Sequence, residues 1–345
     1  MDELGERVKL SFGAGGKLQD QFIRFLTQSI SLKKLGSEGI GIEEMDDGAV
    51  IPEAIISPGD LVVTADGHTI SPLKFPGGDL GKLSVCGTVN DLLMMGARPL
   101  ALTNVVLVEE GFLISDIKEQ IESFNHWAAE ASVAIIAGDT KVMPKGTLNG
   151  LVMATSGIGV RPHHRTITDL NVKADDAIIV SGFIGDHGAA LLAKREGIAL
   201  ETELKSDVAL LTDSVKAIWD LDIHAMKDIT RGGLASALNE WAQKSNVGII
   251  VNEVSIPIRS ETDTICKILG LDPLVLASEG CFCIAAPMAI AEEIVNRLKN
   301  TSTGINATII GTTGDDKRGK VRMKTTIGGT RIIEYPLGEP IPRIC

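Results

Sequence analysis

The chain has 345 residues, of which 44% are hydrophobic and 23% charged, so it can bury a large core and form about two domains. Its net charge of −12 argues against nucleic acid as the main partner, because a phosphate backbone requires a basic face. A nucleotide stays compatible, since carboxylates can hold the Mg²⁺ that accompanies ATP. The charged N-terminus lacks a signal-peptide core and no apolar run spans a bilayer; we expect a cytoplasmic protein.

In the first half of the chain, apolar runs at 60–66 and 134–139 predict strands that end in acidic residues. Apolar residues at 80, 83, 86, 89, 92 and 93 have helical spacing and predict a helix over this stretch. A further helix is predicted with Ser115 as its N-cap. Its buried face would be formed by Ile117, Ile121, Phe124 and Ala128.

The second half begins after a polar stretch at 160–176 that contains Pro162. Strands are predicted at 177–182, 247–251, 282–286 and 307–311, and helices near 187–196, 207–220, 233–245 and 289–299. We therefore predict an α/β protein with domains at 1–160 and 161–325 and a flexible tail at 326–345. Three of the ten residues before Cys345 are prolines, Pro336, Pro340 and Pro342, which favours an extended chain.

The five cysteines are Cys86, Cys266, Cys281, Cys283 and Cys345, and no CxxC pair occurs. In a reducing compartment we expect no disulfide. Cys281 and Cys283 alternate within an apolar strand, so both thiols should pack on one face as small hydrophobic groups. Only Cys345, the terminal residue, has a context that predicts exposure, and it could visit the protein's own active site or that of a partner.

Several acidic residues stand beside glycine or at the ends of apolar runs, where a carboxylate can turn toward a ligand. They are Asp46, Asp47, Asp66, Asp91, Asp139 and Asp228. One such residue is usually a turn or cap, but this number of hard oxygen ligands suits Mg²⁺ bridging nucleotide phosphates.

Glycine-rich loops leave two alternatives open. The segment with Gly13, Gly15, Gly16 and Lys17 could offer backbone N–H groups to phosphate, although it does not match a Walker loop. The glycines of 74–81, 185–193 and 230–238 each precede a predicted helix. They either admit an anion at the helix N-terminus or provide clearance for a tight turn.

Together these segments resemble the HypE family of hydrogenase maturation proteins, over essentially the whole chain. The resemblance is carried by DGHTISPLKFPGGDLGKL (66–83), GTVNDLLMMGA (87–97), AGDTKV (137–142), GDHG (185–188), DITRGGL (228–234) and the terminal PRIC. The aspartate motifs are shared with a wider superfamily that includes aminoimidazole ribonucleotide synthetase and selenophosphate synthetase. That superfamily implies two α/β domains and a homodimer in which the N-terminal sheets of two subunits form a barrel, with ATP near the interface.

The resemblance implies an ATP-dependent carbamoyl dehydratase that acts on its own tail. A HypF-type carbamoyltransferase would load Cys345, and the thiocyanate formed there would pass cyanide to iron on a HypC–HypD complex, for [NiFe]-hydrogenase. By motif position, Asp47, Asp66, Asp91 and Asp228 would hold Mg²⁺. Asp46, Asn90, Asp139 and Thr140, together with the Gly13–Lys17 loop, would contact the nucleotide.

The resemblance requires a base that takes the nitrogen proton, for which Lys141 and Glu279 are the candidates, with Asp139 nearby in sequence. Lys141 could instead contact phosphate. Two positions depart from the family pattern: Phe12 stands where the family usually has His, and Cys281 where it often has Lys. The competing interpretations are a superfamily enzyme that acts on a free small molecule and a non-enzymatic thiol carrier or docking module.

Overall fold

The computed structural model describes residues 5–9, 12, 17–37, 40, 42, 51–163, 166–198 and 204–336. The elements of its first part are α1 (Lys17–Thr27), α2 (Glu53–Ile56), β1 (Asp60–His68), β2 (Lys74–Phe75), β3 (Gly78–Asp79), α3 (Leu80–Met94), β4 (Arg98–Glu109), α4 (Ile114–Glu130), β5 (Ala134–Met143) and β6 (Leu151–Arg161). Four of these strands form a sheet in the order β1-β6-β4-β5. Only the β4–β5 pair among them is parallel.

One face of this sheet is covered by helices, and α3 is the central one. Buried sheet residues such as Val106, Val108 and Met153 join Leu83 and Val89 of α3 in a continuous core. Because α3 also packs against the second part of the chain, it is buried on almost every side. A helix that is apolar all round is typical of such a central position.

The second part forms a seven-stranded sheet in the order β13-β12-β9-β11-β7-β10-β8. Its elements are β7 (Asp176–Val180), α5 (Asp186–Glu196), α6 (Thr212–Ala217), β8 (Ala225–Asp228), α7 (Gly233–Lys244), β9 (Gly248–Asn252), α8 (Ser260–Leu269), β10 (Phe282–Pro287), α9 (Ala291–Leu298), β11 (Thr308–Gly314), β12 (Val321–Lys324) and β13 (Thr330–Ile332). Short 3-10 turns lie at Asp169–Asn171, Glu253–Ser255, Pro273–Val275 and Met288–Ile290. The mixed α/β character predicted from the sequence is confirmed.

The long periodic elements agree with the sequence prediction, and the differences lie at element ends. Ser115 is not an N-cap: α4 already begins at Ile114, with Leu113 before it, and the Ser115 hydroxyl donates to the Asp116 carboxylate instead. Ile117, Ile121, Phe124 and Ala128 are buried as predicted. The sequence did not indicate α8 at all.

The helix predicted at 207–220 is much shorter, since α6 covers only Thr212–Ala217. Backbone groups of the preceding residues are used elsewhere: the Leu211 N–H donates to the Asn90 side chain, and the Ala209 N–H to the Glu279 carbonyl. These tertiary hydrogen bonds replace the intrahelical ones that the sequence predicted.

The described cysteines, Cys86, Cys266, Cys281 and Cys283, are free thiols and all buried. Cys281 and Cys283 belong to the same apolar cluster, which confirms their prediction as small hydrophobic groups. In the part of the chain that the structure describes, no helix is long and apolar enough to cross a membrane.

Regular structure continues beyond residue 326, where the sequence predicted a flexible tail to begin. β13 pairs with β12 in antiparallel register, and the Ile333 N–H donates to the Val321 carbonyl. The Ile333 side chain is buried, and its carbonyl accepts from the Asn239 amide. Burial of one isoleucine after an exposed strand fixes the chain here. Residues 337–345, which contain Cys345, lie outside the described residues.

This anchor can be tested with neighbouring isoleucines. Ile333→Ala should lower the free energy of unfolding by about 2–4 kcal/mol, since it empties a buried side-chain site. Ile332→Ala is the matched control, because Ile332 is 51% exposed and should cost less than about 0.5 kcal/mol. Urea unfolding followed by circular dichroism measures both, and equal losses would contradict the anchoring role.

Candidate active site

Four acidic side chains from both parts of the chain converge beside α3. Asp66 lies on β1, Asp91 on α3 and Asp228 at the end of β8, and Glu279 lies in the loop before β10. Asp228 is the register partner of Phe282, so β10 brings the Glu279 loop beside β8. The charges of Asp66 and Asp228 both act on Asp91 and on Glu279. Three predicted site aspartates and the predicted base therefore form one cluster, which we call the carboxylate cluster.

Threonine hydroxyls form hydrogen bonds with two members of this cluster, Asp66 and Asp91. Thr64 donates to Asp91 Oδ2 at 2.7 Å, across the contact between β1 and α3. The Thr88 hydroxyl lies 3.5 Å from Asp66 Oδ2 and 2.6 Å from the Thr155 hydroxyl. Thr64, Thr88 and Thr155 were not predicted as site residues. The alternation of Thr64 and Asp66 on one strand face was the available signal.

Crowding and burial raise the pKa values of the cluster. Desolvation, then the charges of Asp228 and Asp66, raises the pKa of Asp91 to about 7. Desolvation, together with the charge of Asp66, raises the pKa of Asp228 to about 6, although neighbouring Lys227 opposes the shift. The pKa of Glu279 lies well above its usual range, first through desolvation and then through the charges of Asp228, Asp207, Asp66 and Asp91. Such perturbed carboxyls in a cleft are typical of functional sites.

Asn90, predicted to contact the nucleotide, links the two parts of the chain through its side-chain hydrogen bonds. Its amide nitrogen donates to the Ala209 carbonyl at 3.0 Å and lies 3.5 Å from the Glu279 carbonyl. Its amide oxygen accepts from the Leu211 N–H at 3.0 Å. Because both ends of the side chain are used, this buried residue positions Asp91 and the Glu279 loop relative to each other.

Asp139 and Lys141 do not join the carboxylate cluster. In the sheet register, Asp139 aligns with Val105 and Lys141 with Leu107, whereas Asp66 aligns with Thr155. Val105 and Leu107 stand on the face away from the helices, because their neighbours Val106 and Val108 are buried in the helix-side core. Within one chain, the predicted base Lys141 and the cluster thus occupy opposite faces of the sheet.

Thr140 faces the helix side, beside a cavity of about 480 Å³ that also includes Asn104, Asn125 and Asp139 in its lining. The cavity otherwise has apolar walls, formed by residues such as Ile23 and Phe124. The Asn104 amide oxygen is buried with no hydrogen-bond partner among the described residues. This space is large enough for part of a nucleotide, next to two of the residues predicted to bind it.

The three glycine-rich helix starts favour clearance over anion binding. At the start of α3, Asp79 accepts from the Lys82 N–H at 2.8 Å, so a carboxylate already occupies the N-terminus. The first turn of α5 contains the Asp186 carboxylate, bonded to Arg259 and Thr262. At α7, a side chain on Gly233 would lie 2.5 Å from the Leu274 carbonyl, so glycine is needed for close packing.

Several predicted residues lie outside the described part of the structure: Gly13, Gly15, Gly16, Asp46, Asp47 and Cys345. Lys17 is described only as the first residue of α1.

The two residues that depart from the family pattern, Phe12 and Cys281, are both buried. Phe12 is buried against Phe22, with ring centroids 5.2 Å apart, and the Cys281 thiol lies 3.5 Å from both the Ser181 hydroxyl and the Gly182 carbonyl.

Mg²⁺ prefers oxygen ligands, so the carboxylate cluster is a candidate site for this ion. Among the described residues, no three His, Cys, Asp or Glu side chains are already arranged as a metal site. The donor chemistry nevertheless fits, since Asp66, Asp91 and Asp228 supply carboxylate oxygens whose mutual repulsion a divalent cation would relieve. Asp47, predicted as a fourth ligand, lies outside the described residues.

Comparison with known proteins identifies the class. The family model described as AIR synthase related protein, N-terminal domain, matches residues 45–161, and the model of the corresponding C-terminal domain matches 173–324. The chain, with its two α/β units, is thus an AIR synthase-related protein.

Within this class, the relatives are specific. The carbamoyl dehydratase HypE of Rhodobacter capsulatus is 40% identical over 346 residues, covering 99% of this chain and 98% of the relative. A crystal structure of the hydrogenase maturation protein HypE in complex with ATP matches with a TM-score of 0.90 and 34% identity, covering 97% of this chain and 99% of that one. A HypE–HypF complex matches with a TM-score of 0.78 and 36% identity, over 93% and 100% of the two chains. The chain belongs to the HypE family, as the sequence motifs predicted.

The raised pKa of Asp91 predicts a stability difference with a defined sign. An unfolded aspartate has a pKa of about 3.9, so between about pH 4 and 7 the folded state holds a proton that the unfolded state has released. Wild-type stability from this group therefore falls as pH rises through that window. Asp91→Asn should become more stable than wild type above pH 7 without divalent cations, by about 2 kcal/mol.

Urea unfolding at pH 5 and pH 8 tests this difference. Asp60→Asn is the control of opposite sign, because hydrogen bonds from Arg161 and His163 lower the pKa of Asp60, and its substitution should bring no gain at pH 8. A difference between Asp91→Asn and wild type that does not change with pH would refute the crowding of the cluster.

Proposed function

We propose that this protein is an ATP-dependent carbamoyl dehydratase that converts a carbamoyl group on its own Cys345 thiol to a thiocyanate, and so supplies cyanide for [NiFe]-hydrogenase iron. Its relatives support this reaction by their names, and a matching HypE structure contains ATP. The observation that carries the proposal is the position of Pro336, the last described residue before Cys345, beside the loop that follows Asp228.

The position of Pro336 limits how far Cys345 can lie from the carboxylate cluster. A Cβ added at Gly232 would lie 3.8 Å from the Pro336 ring. Gly232 follows Asp228 by four residues, so their Cα atoms are at most about 15 Å apart. The nine residues after Pro336 can span about 28 Å at polyproline spacing. Cys345 is thus able to reach the carboxylate cluster of its own subunit.

The chemistry requires activation of a poor leaving group. In the proposed reaction the carboxamide oxygen attacks the γ-phosphate of ATP and ADP leaves. The amide nitrogen then gives up its protons, the C–O bond breaks and the oxygen departs with phosphate, so that the C≡N bond remains on sulfur. The net products are thiocyanate, ADP, phosphate and a proton, which balances the loss of one water with the hydrolysis of one ATP.

Glu279 is the residue of this chain that we propose as the base. It is buried and stands at the cluster, and its pKa is raised by burial and by the neighbouring carboxylates, which makes its ionised form a stronger proton acceptor than an exposed glutamate. Asp66, Asp91 and Asp228, with Asp47, would hold Mg²⁺. When bound, this ion would neutralise phosphate charge and orient the transferred group.

Lys141 and Asp139 would then contribute from a second copy of the chain. Part of the outward sheet face that carries them is covered, because Leu35, Ile51, Ile55 and Ile56 pack against the buried cluster that includes Ile136 and Val160. Its β1 edge is apolar and exposed among the described residues: Val63 is 63% exposed and Leu61 55% exposed, and Ile158 lies beside Val63. An apolar sheet face of this kind is typical of an interface. We propose a homodimer through this face, in which the sheets of two subunits form the predicted barrel and Lys141 meets the nucleotide or the carbamoyl group.

The proposed partners follow from the same reaction. A HypF-type carbamoyltransferase would load the thiol, in agreement with the HypE–HypF complex among the matching structures. A HypC–HypD complex would accept the cyanide. Cys345 must leave the cluster for both exchanges.

Mass spectrometry of the C-terminal peptide tests the function. The chain is first incubated with HypF, the carbamoyl donor and ATP, then freed of nucleotide. Addition of Mg²⁺–ATP should remove one water from the carbamoyl adduct on Cys345, and ¹⁸O placed in the carbamoyl oxygen should appear in phosphate. Omission of Mg²⁺–ATP should leave the adduct intact.

Cys345→Ser is the matched control and should give no thiocyanate. An unmodified Cys345 with continued ATP consumption would contradict the self-modification and indicate a free small-molecule substrate. Retention of the full reaction in Asp91→Asn would instead contradict the role of the carboxylate cluster.

The dimer is tested at the exposed sheet face. Val63→Asp should convert the dimer to a monomer at micromolar concentration, because two charges would be buried without partners at the symmetric interface. Ile327→Asp is the control, since Ile327 is 94% exposed on the other domain. Light scattering after gel filtration distinguishes the states, and a Val63→Asp dimer would exclude this face.

A further inference from the structure

A partly buried segment of the second domain without regular secondary structure contacts the first domain beside the carboxylate cluster. We call residues 204–211 the bridging segment. Its Ser206 N–H donates to the Pro76 carbonyl at 2.8 Å, just before α3. The Ser206 hydroxyl makes hydrogen bonds with the His187 ring nitrogen and the Val208 N–H, at 2.8 and 3.1 Å. Both the first domain and the second therefore fix this part of the chain.

Asp207 in the bridging segment binds the backbone of the Glu279 loop with both carboxylate oxygens. Oδ1 accepts from the Glu279 N–H at 3.0 Å, and Oδ2 accepts from the Gly280 N–H at 3.1 Å. The approach is so close that a side chain on Gly280 would lie only 1.8 Å from the Asp207 carbonyl oxygen. Only glycine at position 280 permits these two parallel hydrogen bonds.

Other contacts complete the fixation of the same loop. The Glu279 carbonyl accepts from the Ala209 N–H at 3.4 Å and lies 3.5 Å from the Asn90 amide. On the other side, the Ser278 N–H donates to the Ile229 carbonyl at 2.8 Å, directly after Asp228. The backbone of Glu279 is thus held between α3, the bridging segment and the end of β8.

We propose that Asp207 is a positioning residue for the dehydration: its carboxylate fixes the Glu279 backbone so that the Glu279 side chain points into the cluster. This inference rests on the proposed function, in which Glu279 is the base. A base must lie within hydrogen-bond reach of its proton, and a displacement of about 1 Å can cost on the order of a hundredfold in rate. Two hydrogen bonds from adjacent N–H groups to one carboxyl group provide this accuracy.

Asp207→Asn tests the proposal, because an amide accepts from one N–H and then places its own donor against the other. With the chain carbamoylated in advance on Cys345, the single-turnover rate of water loss at saturating ATP should fall by about tenfold or more. The Kd for ATP should remain within about twofold of wild type, since no ATP-binding residue is changed. Hydrogen exchange at the Glu279 and Gly280 amides should become faster.

Asp176→Asn is the matched control for a structural loss. Asp176 is buried, accepts from the Lys173 N–H and the His224 ring, and lies at the opposite end of β10, opposite Pro287. The Asp176→Asn variant should be less stable than wild type, but it should remove water from the carbamoyl group at the wild-type rate. If Asp176→Asn and Asp207→Asn slow the reaction equally, the effect is general destabilisation and the positioning role is refuted.

Asp207→Glu provides a second variant that keeps the charge but lengthens the side chain. It should also slow the reaction, because the two acceptors no longer match the two N–H groups. A wild-type rate in Asp207→Glu would overturn positioning in favour of charge alone, even if Asp207→Asn does not fold. If the wild-type chain itself loses no water, the proposed function fails; if wild type reacts and the Asp207 variants react equally fast, only this inference fails.

Discussion

The carboxylate cluster brings four acidic groups together in a buried place, and the contacts around it must hold them against their mutual electrostatic repulsion. Asp66, Asp91, Asp228 and Glu279 come from four separate segments, and burial near one another raises the pKa of the last three. Without a cation, such a cluster weakens the folded state, because each carboxyl would be better solvated in an open chain. A site that opposes folding persists only if its surroundings hold it in place.

The α3 helix provides most of this support. It is buried between the first sheet and β8, and it presents Asn90 and Asp91 side by side to the second domain. Asn90 forms hydrogen bonds with the bridging segment, while Asp91 accepts from Thr64 of β1. The relative position of the two domains and the spacing of the cluster therefore depend on the same helical turn.

The two faces of the first sheet carry different groups of the proposed active site. The helix side holds Asp66 and its threonine contacts, and the outward side carries Asp139 and Lys141 among exposed apolar residues. A single subunit keeps these groups apart, so a second copy that covers the outward face would bring its Lys141 to an interface rather than to solvent. The alternation of side chains along a strand places Lys141 and the carboxylate cluster on opposite faces of the sheet. This separation is the reason for proposing the dimer.

Much of this protein could be predicted from its sequence. Strong periodicity located α3, α4 and the strands with long apolar runs, because these elements depend mainly on the burial of a continuous apolar face. The motifs identified the family, and three of the aspartates predicted from them do lie together. Cys281 and Cys283 were also correctly predicted as buried.

Other features depended on tertiary contacts between distant residues. The bridging segment has a helical pattern, yet its backbone bonds to Asn90 and to the Glu279 loop, which local propensity does not register. The same reason explains why the sequence did not predict the hydrogen bonds of Asn90, the burial of Ile333 or the contacts of Asp207. The residue types and their motifs were enough to predict which side chains have the chemistry for the reaction. Which of them meet is set by the folded chain, because hydrogen bonds across about a hundred residues of chain have no periodic trace in the sequence.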